Sequence, residues 1–106
     1  MTVYSLVSQL PQGASEIHHE VELGVVIGSR AHCVSAEEAD MDNIIGGYVL
    51  ALDMTDREEQ SRAKKSGLPW TSAKAFDTSC PVSHFIDKSS ITDLHDVSYL
   101  FTYLFI

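Results

Sequence analysis

Apolar and polar side chains alternate at the start of Ile17–Ile27 (IHHEVELGVVI), with His19, Val21 and Leu23 on one side and His18, Glu20 and Glu22 on the other. That period of two is the pattern of a half-buried strand. A second apolar run, YVLALD at residues 48–53, predicts a buried strand. Between the two, Ser35 with Glu38 three residues on has the form of a capping box, predicting a short helix over residues 37–42 that Gly46 and Gly47 interrupt. Thr55 with Glu58 is a second capping box, opening the polar run DREEQSRAKK, whose acids come early and bases late as a helix dipole favours. Gly67 and Pro69 close that helix. Residues 70–76 and 81–86 predict short extended pieces around a loop, so the order strand, helix, strand, helix, strand describes a mixed α/β or α+β unit. The final VSYLFTYLFI places Tyr99, Phe101, Tyr103 and Phe105 at alternate positions, again a strand period. Ten residues are too few to span a bilayer. An uncharged aromatic strand at a chain end is expected to be buried or to form a sticky edge.

Composition narrows the class. A chain of 106 residues, 44% hydrophobic and 21% charged, is one globular domain or part of one. Fifteen acidic against seven basic side chains give a formal charge of −8, which argues against a nucleic-acid or anionic-membrane partner, since lysine and arginine would have to supply the phosphate contacts. Cations are the more natural partners. The first charged residue is Glu16 and the last Asp96, which sets residues 1–16 and 97–106 apart from the body at 17–96. Cys33 and Cys80 have neither metal-ligand nor redox spacing, and no signal-peptide pattern or Arg-rich transit pattern is visible. The expectation is an intracellular chain with reduced thiols.

The chemistry concentrates in a few residues. Glu20 and Glu22, two apart on a strand, aim their carboxylates to one face about 7 Å apart at the backbone. Such a pair repels unless something neutralises it, and a hard divalent cation with Asp53 as a third oxygen ligand would do so. A solvated strand face is the plain alternative. His18 and His19 point to opposite faces and cannot both serve one metal from adjacent strand positions. Lys74, in WTSAKAF between Trp70 and Phe76, is placed for a partly desolvated ammonium aimed at an anion, or is an ordinary surface lysine. Arg57 and Gln60, three apart on the first turns of the helix after Asp53, share a face and could bind a carboxylate or be solvated.

Three long motifs and one short one occur in order: HHEVELGVVIG at residues 18–28, MD-x-x-x-GGY-x-x-x-LDMT-x-R at 41–57, KK-x-GLPWT-x-AK-x-F at 64–76 and SCPVS at 79–83. Together they resemble the fumarylacetoacetate hydrolase family, nearest its acylpyruvase-like branch, whose members cleave acylpyruvates and act on oxaloacetate. The resemblance covers roughly residues 15–95. It implies an α+β fold, part of the family's mixed β-roll or sandwich. It also implies Mg²⁺ or Mn²⁺ on Glu20, Glu22 and Asp53, with Arg57, Gln60 and Lys74 facing a small keto-acid substrate and Lys74 as the catalytic group. In the family the metal acts as a Lewis acid toward the substrate's paired oxygens.

The same resemblance sets further expectations. The family's lid carries a His and Glu pair that activates water, and residues 1–17 hold no His. Its later Gly-Thr-Pro type loop has no counterpart once the pattern departs after Asp96. The expected chain is therefore a truncated, Mg²⁺-dependent enzyme of dicarbonyl acids, its ends those of an alternative transcript, a partial gene model or a fragment. The competing class is a non-catalytic metal-binding remnant with exposed strand edges. A homodimeric parent in mitochondria or cytosol, with no nucleic-acid or membrane partner, completes the implied picture.

Overall fold

The computed structural model describes residues 8–37, 39 and 41–98. The alternating aromatics from Tyr99 onward lie outside the described residues, as does Glu38 of the first capping box. Strand β1 (Ile17–Ile27) pairs antiparallel with β2 (Ile45–Asp56), in register from Ile17 opposite Asp56 to Val26 opposite Gly47, with a shift between Val26 and Ile27. The two-residue strand β3 (Ile86–Asp87) adds to the other side of β2. Further along that side, Leu52 N–H donates to Pro81 O at 3.1 Å, Met54 N–H to Ser79 O at 2.8 Å and Ser83 N–H to Leu50 O at 2.8 Å. β2 is thus hydrogen-bonded on both sides, which explains why its sequence is the most apolar of the described strands.

The polar run becomes helix α2 (Arg57–Ser66), and its N-cap is Asp56, whose Oδ1 accepts from Glu59 N–H at 3.0 Å. Thr55, expected to cap, is instead the penultimate residue of β2 and fully buried. Both residue types cap well, and the strand pairing decides between them. Gly67, at φ 66°, ends the helix in the left-handed conformation that favours glycine. Residues 70–76 were expected to be extended, but Thr71–Lys74 form a four-residue helix, α3, in which Ala73 and Lys74 both donate to Trp70 O at 3.0 Å. Local β-propensity of Trp70, Thr71 and Phe76 yields here to the burial of Ala73, which has no exposed surface. Ser72 Oγ donates to Glu59 Oε1 at 3.0 Å and ties α3 to α2.

The short helix α1 (Met41–Ile44) starts later than expected, and Gly46 and Gly47 lie inside β2 rather than between elements. Their reason is proximity: a Cβ on Gly28, just past β1, would come within 2.6 Å of the Gly46 Cα, and a Cβ on Gly47 would run into the Phe85 ring, so each close approach needs a residue without a side chain. Ile45, Tyr48, Ala51, Leu52, Ala63 and Ala73 form the described core. Among the described residues no helix is long and apolar enough to cross a membrane.

Candidate metal centre

Strand register builds the site. Glu20 lies directly opposite Asp53, and Glu22 follows two residues along β1, so three carboxylates emerge from one end of the strand pair. One oxygen from each of Glu20, Glu22 and Asp53 lies within 4.8 Å of the others. Three anions this close are mutually repulsive, and the protein offsets them from the next two elements. Lys74, at the end of α3, places Nζ 2.8 Å from Asp53 Oδ2 and 3.2 Å from Glu20 Oε2 while donating to Thr55 Oγ1 at 2.7 Å. Arg57, opening α2, donates from Nη2 to Glu20 Oε1 and from Nη1 to Gln60 Oε1, each at 2.9 Å. The turn from β2 into α2 is fixed by Arg57 N–H donating to Glu16 O at 2.9 Å, so the guanidinium starts from a set point.

These contacts set the charges. The hydrogen bond and charge of Lys74, then those of Arg57, hold the Glu20 carboxyl below the ordinary glutamate value of 4.5. Burial pulls the Lys74 ammonium toward its neutral form, but hydrogen bonds to Asp53 and Glu20, with their charges, outweigh it and raise the group above 10.5. Lys74 and Glu20 are therefore charged at neutral pH.

The structure brings all six sequence-selected residues into one constellation. Lys64 and Lys65 lie exposed in the last turn of α2, away from it. His18 pairs with Glu16 through Nε2 at 3.1 Å, and neither histidine belongs to the carboxylate triad. Thr55 is the participant that sequence reading missed; Asp53 and Thr55, two apart on one strand, share a face, and that spacing was the available signal. Hard carboxylate oxygens converging from two strands suit Mg²⁺ or Mn²⁺ rather than a soft metal, so the donor set fits such an ion. The free cysteines, Cys33 and Cys80, are exposed and lie outside the triad.

Comparison with known proteins agrees with the motif reading. The family described as fumarylacetoacetate (FAA) hydrolase C-terminal matches residues 5–103. A mitochondrial oxaloacetate decarboxylase from Dictyostelium discoideum is 52% identical over 89 residues, 84% of this chain and 40% of that protein. A mitochondrial oxaloacetate tautomerase from Homo sapiens is 51% identical over 86 residues, 81% of this chain and 38% of that protein. The chain thus spans about two fifths of the length of these curated relatives. Among solved structures, a fumarylacetoacetate hydrolase family protein from Yersinia pestis superposes with a TM-score of 0.69 at 44% identity, covering 79% of this chain and 39% of that one. A fumarylpyruvate hydrolase from Pseudomonas aeruginosa, in complex with Mn²⁺ and pyruvate, superposes with a TM-score of 0.67 at 34% identity, covering 78% and 35%. The small antiparallel sheet with its helices is a partial α+β fold of this kind, as the motifs implied.

Proposed function

The chain belongs to the fumarylacetoacetate hydrolase family, and on that premise we propose that it carries the cation-binding and anion-binding groups of an enzyme acting on small dicarbonyl acids, oxaloacetate above all. Glu20, Glu22 and Asp53 hold Mg²⁺ or Mn²⁺; Lys74, Arg57 and Gln60 face the keto acid. The observation that carries this reading is the convergence of three carboxylate oxygens within 4.8 Å beside two cationic side chains. A bound divalent ion supplies Lewis acidity toward the substrate's oxygens.

The chain's own groups do the rest. Loss of carbon dioxide from oxaloacetate leaves an electron pair that delocalises onto the keto oxygen as the enolate of pyruvate, and tautomerisation, which moves a proton from C3, gives the enolate of oxaloacetate itself with its charge on the same oxygen. The Lys74 ammonium, held by Thr55, is placed to stabilise that oxygen's charge. The Arg57 fork, steadied by Gln60 and Glu20, offers paired donors to a carboxylate. Hydrolysis makes a different demand, a base that takes a proton from water. Lysine and arginine here are cations, and Glu20 and Asp53 are engaged with them, which favours decarboxylation, which needs no base, or tautomerisation with solvent moving the C3 proton, over hydrolysis. The names of the two relatives point the same way. Their mitochondrial names support that compartment for this chain, and a homodimeric parent remains part of the proposal.

The test is turnover of oxaloacetate and of acetylpyruvate with Mg²⁺, beside calorimetric Mg²⁺ titration. Expected are oxaloacetate turnover that falls by roughly 10²-fold in Lys74→Ala, and acetylpyruvate hydrolysis far below it. Equal Mg²⁺ affinity in the wild type and Glu22→Ala would remove the metal assignment, and a folded, Mg²⁺-loaded chain that turns over neither substrate would make it a non-catalytic remnant.

A further inference from the structure

Lys74 meets two demands on one charge. Its Nζ lies within hydrogen-bond distance of Asp53 Oδ2 and Glu20 Oε2, two of the three carboxylates that converge on one point. A divalent ion with oxygen bonds of about 2.1 Å needs lone pairs on those same groups. Two cations on shared carboxylates repel strongly at that range. Glu22 stands apart: it is exposed and forms no ion pair among the described residues. Thr55 Oγ1, the third acceptor of Nζ at 2.7 Å, is fully buried and outside the triad.

We propose that Lys74 is the resident counter-ion of the acidic triad, an intramolecular competitor that a divalent cation displaces from Glu20 and Asp53, with Thr55 as the positioning residue that retains the ammonium beside the site. This rests on the assignment of Glu20, Glu22 and Asp53 as cation ligands. The displacement is confined to a side chain. Ala73 is fully buried and α3 is fastened through Trp70 O, whereas the four-carbon stem of lysine lets Nζ move a few ångströms. Two consequences follow from linkage. The chain binds the cation more weakly than its three carboxylates alone would, and the cation's arrival frees an ammonium for the substrate's anion, coupling the two positively.

Isothermal titration with Mg²⁺ alone on the wild-type chain, Lys74→Met and Glu22→Gln tests the competition, together with amine-reagent footprinting of each lysine at fixed pH with and without Mg²⁺. The expected result is roughly tenfold tighter Mg²⁺ binding in Lys74→Met, at least tenfold weaker binding in Glu22→Gln, and a severalfold rise in wild-type Lys74 labelling on Mg²⁺ addition while Lys64 and Lys65 are unchanged. In Thr55→Val, Mg²⁺-bound Lys74 should label faster still, and Thr55→Ser, which keeps the hydroxyl, should restore the wild-type rate. If Glu22→Gln weakens binding but Lys74→Met does not tighten it and Lys74 labelling ignores Mg²⁺, the competitor role is overturned while the metal site stands. If neither wild type nor Lys74→Met binds Mg²⁺, or Glu22→Gln binds as the wild type does, the underlying metal assignment fails. The footprint needs no variant, so misfolding of Lys74→Met does not remove the test.

Discussion

The two ends of the β1–β2 pair are held together by different forces. At the Glu20–Asp53 end, side chains from four elements meet: acids from the strands, Arg57 from α2, Lys74 from α3, with buried Thr55 beneath. At the Val26–Gly47 end the strands meet through bare backbone, Gly28 against Gly46, while Val25, Ile27 and Phe85 are about half exposed or more. An open hollow of about 580 Å³, lined by Ile45, Tyr48, Ile91 and Leu94 among others, lies on that side. Charge-assisted hydrogen bonds are directional and strong, so they fix side chains in place; apolar contact and steric fit fix only distance. The difference explains how a chain with few buried apolar residues can still define a six-residue constellation.

The comparison can be broken most forcefully at the glycine end. Gly28→Val puts a branched side chain where even a Cβ would meet the Gly46 backbone at 2.6 Å, and a backbone neighbour cannot swing aside. A loss of about 3 kcal/mol in urea denaturation is expected. Because Gly28 lies eight residues from Glu20, roughly 25 Å along the strand, Mg²⁺ affinity of the folded molecules should be unchanged. A matching fall in affinity would mean that the ends are not independent.

At the polar end, Thr55→Val keeps shape but removes the buried acceptor of Lys74, and should cost about 1–2 kcal/mol. The same denaturation series measures it. Asp56→Ala, one residue on, removes the acceptor that satisfies Glu59 N–H and should cost about 1 kcal/mol, read as earlier thermal loss of α2 helicity by circular dichroism. The cap orients α2 and so Arg57, which makes its effect on Mg²⁺ binding smaller than that of Thr55→Val.

What could be read in the sequence follows the same division. Glu20, Glu22 and Asp53 were legible because strand period alone puts them on faces, and the register then needed only one pairing to bring them together. Arg57 and Gln60 were legible as helix neighbours three apart, and they do hydrogen-bond. The shift of the cap from Thr55 to Asp56 was not legible: two good caps stand side by side, and only the pairing of Ile17 with Asp56 carries β2 through Thr55. Nor were Gly46 and Gly47 readable as strand, because the reasons for them, Gly28 and Phe85, lie elsewhere in the chain. α3 is four residues long, too short for any periodicity to declare itself, and it is the element that delivers Lys74. Local pattern had left Lys74 either a partly desolvated ammonium or an ordinary surface lysine, and the family motifs joined it to the acidic residues.

The smallest expected effect is the pH dependence of stability, and it sharpens the contrast because both ends titrate. At the site end Glu20 is lowered by Lys74 and then Arg57, and Glu59 by its hydrogen bond from Ser72 and then by Arg62. At the far end Asp87 is lowered by hydrogen bonds from the Ser89 hydroxyl and backbone. A carboxyl whose folded value is depressed binds its proton more readily when unfolded, so each contributes stability above its ordinary value, 4.5 for the glutamates and 3.8 for Asp87, and loses it as pH falls through the depressed one. Lys74 has the opposite sign: raised when folded, it stabilises below 10.5 and its contribution is lost as pH climbs through the raised value. Stability should therefore be flat across neutral pH, with a shallow acid limb beginning below about 4.5 and an alkaline limb above 10.5. The acid limb is shallow because these carboxylates are solvent-exposed, 42% for the Glu20 side chain, and water and salt screen their pairs. Amide hydrogen–deuterium exchange down the acid limb should show α2 and its junction with β1 opening at higher pH than the turn at Lys88–Ser90, since glutamates titrate above aspartate. Opening in the reverse order would place the weaker clamp at the Asp87 end.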